Sequence, residues 1–66
     1  MEYSRDDLIE ARRQIDSTLH KLRETVRTLR SKDNPARFKS QITLAERRIK
    51  AFEIADFLIE RETDNM

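Results

Sequence analysis

The chain has no glycine, no cysteine and no tryptophan, and only one proline and one histidine in 66 residues. Each absence removes a class of explanation. Phosphate-cradling loops cannot be built without glycine, because their tight turns and close backbone approach need a residue lacking Cβ. The lack of cysteine excludes disulfides, zinc–thiolate centres and thiol nucleophiles, and it fits a reducing compartment. His20 alone cannot furnish a histidine-rich metal site, and the second half of the chain has no histidine for a ferritin-type Glu-x-x-His element. No apolar run reaches the roughly eighteen residues of a membrane span. The opening Met1-Glu2-Tyr3-Ser4-Arg5-Asp6-Asp7 is acidic, with no apolar signal region. The expectation is a soluble, cytoplasmic, non-catalytic protein without metal, cofactor or membrane partner.

What the sequence does contain is charge and helical periodicity. Charged residues make up 41% of it, the composition of long salt-bridged helices. Leu8, Ile15, Leu19, Leu22, Val26 and Leu29 form one apolar ladder, and Phe38, Ile42, Ala45, Ile49, Phe52 and Ile59 form another. Their alternating four- and three-residue spacing is that of a coiled-coil seam. Between them lies Asp33-Asn34-Pro35, the one strong break.

Ser4 reads as an N-cap, with Asp7 closing a shortened capping box and Tyr3 and Leu8 at the hydrophobic-staple positions. Asn34 reads as the cap of a second helix whose first turn holds Pro35. The spacing predicts one all-α domain, an antiparallel hairpin: helix over 5–31, turn over 32–34, helix over 35–62, and a frayed end from Thr63 to Met66. Folding back there sets Leu8 against Ile59, Ile15 against Phe52, Leu19 against Ile49 and Leu29 against Phe38. The same register brings together the two charged rungs, Arg12 and Asp56, as an ion pair that fixes alignment. A salt-bridging edge is expected where Glu46, Glu53 and Glu60 recur every seven residues, with Arg23 opposite Glu46.

Two helices bury only one stripe each, so a chain this short needs a further source of stability. The second helix carries surplus apolar residues. Leu44, Ala51, Ala55 and Leu58 form another stripe, widened by Ile54 and Phe57, and the first helix answers with Ala11, Thr18 and Thr25. Ala11, Thr18, Leu44, Ala51, Ile54, Ala55 and Leu58 are therefore the expected interface of a homodimer or higher oligomer, a four-helix bundle. A groove for another protein's helix is the sharper reading of the same surface. Ile9 and Phe57 are expected to form a small satellite cluster.

Net charge is only +1 but is unevenly placed. Residues 1–20 carry a net −2, residues 21–50 a net +7 and residues 51–66 a net −4. A hairpin of this sequence is basic at its loop end and acidic at its base. Arg27, Arg30, Lys32, Arg37 and Lys39 crowd that loop end, which makes nucleic acid or another polyanion the alternative partner. No aromatic stacking platform accompanies them.

Two enzyme families bear on the reading. Arg12-Arg13-Gln14-Ile15-Asp16, followed by Leu19 and Leu22, resembles the opening helix of helical chorismate mutases, which implies arginines holding a dicarboxylate substrate. The likeness covers residues 12–22; that family's third helix and its later lysine and Glu/Gln elements have no counterpart here. In size and shape the chain is also similar to helical-hairpin phosphatases of sporulation response regulators. Their Ser-Gln-Glu-Leu-Asp signature is not met, because Ser40-Gln41 is followed by Ile42-Thr43-Leu44.

Overall fold

A computed structural model describes residues 2–66. Two α-helices of 26 residues each, α1 (Arg5–Arg30) and α2 (Lys39–Asp64), lie antiparallel against one another. No strand occurs among the described residues. The rod measures 48 × 18 × 15 Å, two helices wide and one deep.

Local chemistry explains the start of α1. The Asp7 amide donates to Ser4 Oγ at 3.1 Å, and the Ser4 amide donates to Asp7 Oδ2 at 3.2 Å. Two amides that helix geometry leaves without partners are thus satisfied reciprocally. Asp6 and Asp7 face the positive end of the helix dipole, and Arg27 and Arg30 the negative end. The last turn tightens: Ser31 N–H reaches the carbonyls of Arg27 and Thr28, and Ser31 Oγ–H donates to Thr28 O at 2.8 Å.

The connection departs from the expected one. Pro35–Phe38 forms a 3-10 turn, and α2 begins only at Lys39, four residues later than the proline signal implies. Asn34 makes no side-chain capping bond. Instead its carbonyl accepts from Arg37 N–H at 3.1 Å, the tighter pattern that proline at the first position also permits. At the far end α2 does not fray at Thr63 but continues to Asp64. Thr63 is half-buried and its hydroxyl donates to Ile59 O at 2.7 Å.

The seam is where the two ladders place it. Leu19, Val26 and Ala45 are buried, and every other member, from Leu8 and Ile15 to Phe52 and Ile59, is half-buried. Burying a side chain such as Leu19 contributes roughly 2 kcal/mol. Three buried residues among those described make a thin core, because each helix has a neighbour on one side only. Ile9 and Phe57 form no satellite core: they are 39% and 60% exposed. They stand on the outer sides of their helices, away from the seam.

Candidate interaction face

Ion pairs define one long edge of the hairpin. Arg30 meets Glu46 at 3.1 Å, Arg23 meets Glu53 at 3.0 Å and Arg12 meets Glu60 at 3.3 Å. The seven-residue glutamate ladder is therefore a salt-bridging edge, but Arg23 reaches Glu53 rather than Glu46. All six side chains are about half exposed, so each pair contributes roughly 0.2–1 kcal/mol.

Arg12 also departs from its expected partner. Its guanidinium binds Glu60, one turn beyond Asp56, and no Arg12–Asp56 ion pair forms among the described residues. Arg12 Nε and Asp56 Oδ1 are both closed to solvent without a hydrogen-bond partner. Asp56 has the Asp16 carboxyl of α1 and Glu60 of its own helix as acidic neighbours. Burial, Asp16 and the charge of Glu60 together push the Asp56 carboxyl from 3.8 up to about 6, against the opposing pull of Arg12. Neither Asp16 nor Glu60 stood out as a neighbour of the charged layer. The signal was present, since Arg12/Asp16 and Asp56/Glu60 are both four apart on one helix face.

With the arginine–glutamate pairs on one edge, helix geometry puts the opposite flank of each helix on the other edge. That edge carries Ala11, Thr18 and Thr25 from α1, and Leu44, Ala51, Ala55 and Leu58 from α2. Arg48 lies among the apolar residues of α2, between Leu44 and Ala51, and Lys21 between Thr18 and Thr25. Leu44 is 50% exposed and Leu58 53%, while Ala51 and Thr18 are open to solvent. At its base the edge opens into a groove of about 460 Å³ lined by Tyr3, Asp7, Leu8, Ala11 and Ile59. Both staple residues therefore line one groove. Ile54, also 50% exposed, stands further round α2, between this edge and Phe57.

Of the five cations at the loop end, Arg27 already holds Glu24 at 3.4 Å and Arg30 holds Glu46. Lys32, Arg37 and Lys39 are exposed and in no ion pair among the described residues; Arg37 lies over the Phe38 ring at 5.9 Å. Arg12 and Arg13, which carry the chorismate-mutase likeness, hold Glu60 and Glu10 of this chain. Among the described residues no group of three or more His, Asp or Glu is placed to hold a metal ion. None of the described helices is long and apolar enough to cross a membrane. The chain matches no protein-family model, and no curated protein or solved structure is significantly similar to it.

Proposed function

We propose that this hairpin is a non-catalytic protein-interaction module that works as a homo-oligomer, joined through the Leu44–Leu58 face. The observation that carries the reading is surface area. A compact monomer of 7.9 kDa exposes about 4,400 Å² by the mass scaling of folded proteins. This chain exposes 5541 Å². The surplus, about 1,100 Å², is comparable with the roughly 800 Å² each partner buries in a standard interface. It includes large apolar side chains on a chain that is otherwise 41% charged, and exposed patches of that kind mark association surfaces.

Polyanion capture at the loop end has less behind it, because two of the five cations are already neutralised within the hairpin. Light scattering coupled to gel filtration tests the assembly. The wild type is expected to run at twice the chain mass or more at micromolar concentration, and Leu58→Glu at the chain mass. A folded wild-type monomer refutes the oligomer, and an unchanged mass for Leu58→Glu refutes this face.

A further inference from the structure

The occupant of the face can be specified more closely, on the strength of the assembly reading above. We infer that a second copy docks antiparallel, its loop end against the first copy's base, about a two-fold axis passing between Thr18 and Ala51. Symmetry and bulk make the face able to meet its own copy, and charge selects the antiparallel orientation.

The first is symmetry within the chain. Ala11, Thr18 and Thr25 are spaced evenly about Thr18, and Leu44, Ala51 and Leu58 evenly about Ala51. Both helices are 26 residues long and run side by side, so Thr18 and Ala51, each at the middle of its helix, lie at the same height along the rod. A transverse two-fold axis at that height overlays the whole length of one hairpin on the other. It sets α1 on α1 and α2 on α2, with Leu44 meeting Leu58 of the second copy. Such an interface is self-complementary, as a two-fold contact requires.

The second is bulk. Ala51 and Ala55 sit at and beside the axis, where helices cross most closely, and the small side chains let the backbones approach. Thr18 does the same for the α1 pair. The leucines lie one heptad to either side and close the ends of the contact.

The third is charge. The loop half of the rod, residues 21–50, carries +7, while residues 1–20 and 51–66 at the base carry −2 and −4. Antiparallel docking sets the basic end of each copy against the acidic end of the other. Parallel docking would set +7 against +7, a juxtaposition that complementary interfaces avoid.

Because the chain has no cysteine, single introduced cysteines report the geometry directly. Under mild oxidation Ala51→Cys and Thr18→Cys are each expected to double in mass on a non-reducing gel. Leu44→Cys alone should not, since its two copies lie roughly 21 Å apart at 1.5 Å per residue. An equimolar mixture of Leu44→Cys and Leu58→Cys should give a covalent mixed dimer. If the mixture of Leu44→Cys with Thr25→Cys crosslinks instead, the copies are parallel and the inference falls while the homo-oligomer stands. A scattering mass of two chains with none of these crosslinks also overturns it, because the face is then unused. Monomeric mass in every variant and in the wild type overturns the assembly reading itself. The sites replaced are exposed, and unchanged helical circular dichroism confirms that each variant folds.

Discussion

Replacing Asp56 by asparagine should stabilise the protein at neutral pH and flatten part of its pH dependence. Asp56 is half-buried in the seam with one oxygen closed to water and unpartnered, and it faces Asp16 and Arg12 on α1 and Glu60 on α2. Its carboxyl rises from 3.8 to about 6 because desolvation and the neighbouring Asp16 and Glu60 carboxyls outweigh Arg12. The folded state thus holds this proton more tightly than the unfolded chain does. Stability from this group is fully present below pH 3.8, declines as pH rises towards 6, and is absent above it. At pH 7.5 the ionised carboxylate is therefore a cost. At 1.36 kcal/mol per pH unit its ceiling is roughly 3 kcal/mol. Partial exposure near the open base of the rod screens the interaction and brings the expected figure to about 1 kcal/mol.

Asparagine removes the charge that burial and the neighbouring carboxylates disfavour, at nearly the same size. Urea unfolding of wild type and Asp56→Asn, at one fixed protein concentration from pH 4 to 7.5, reads the effect as a difference between proteins. Fixed concentration matters because association adds to apparent stability. The gain for Asp56→Asn should be about 1 kcal/mol at pH 7.5 and shrink towards zero near pH 4. A carboxyl carbon resonance of Asp56 titrating near pH 6 would report the same proton. The reasoning is refuted if Asp56→Asn is less stable than wild type at pH 7.5. In that case attraction to Arg12 dominates and Asp56 is a true seam partner. A difference independent of pH would also refute it, because packing alone would then explain the change.

Two further substitutions test the hairpin rather than its charged layer. Ser4→Ala deletes the hydroxyl that accepts from Asp7 N–H, and should cost about 1 kcal/mol in urea unfolding, with Ser4→Asp restoring most of it. Leu19→Ala opens a cavity at the least exposed seam position, 4% accessible, and should cost roughly 2–5 kcal/mol, enough to show as a large loss of helical circular dichroism at 37 °C. A loss under about 0.5 kcal/mol at Leu19, the scatter of surface substitutions, would mean that the seam is not the core.

The seam was legible because its spacing has only one interpretation. Residues from Leu8 to Leu29 and from Phe38 to Ile59 fall on one face only if the chain is helical, and the single break at Asn34-Pro35 leaves only an antiparallel return. The local detail there was not legible. Proline at a first position suits an α-helix and a 3-10 turn equally, so Pro35 could not announce that α2 waits until Lys39. The partner of Arg12 was obscured for a similar reason. Asp56 and Glu60 lie one turn apart on the same face, and a long guanidinium stem reaches either. Nor could periodicity settle the fate of Ile9 and Phe57. Apolar identity favours burial, yet a two-helix rod has no third element to cover its outer sides.

In the proposed dimer, packing and charge have separate jobs at the Leu44–Leu58 face, and only one of them chooses an orientation. In a parallel dimer α2 would lie on α1 of the second copy, with Leu44 over Thr25, Ala51 over Thr18 and Leu58 over Ala11. Every layer would then pair a large side chain with a small one or two small ones together. The antiparallel dimer pairs leucine with leucine and small with small, and it covers the same side chains. Apolar burial, which is non-directional, would therefore drive association without selecting between the two. The lengthwise separation of charge selects. Screened ion pairs at a rim contribute little affinity individually, but juxtaposing two ends of like sign opposes the parallel dimer along half its length. The crosslinking choice between Leu58 and Thr25 as the neighbour of Leu44 thus reads out the orientation that the lengthwise charge favours.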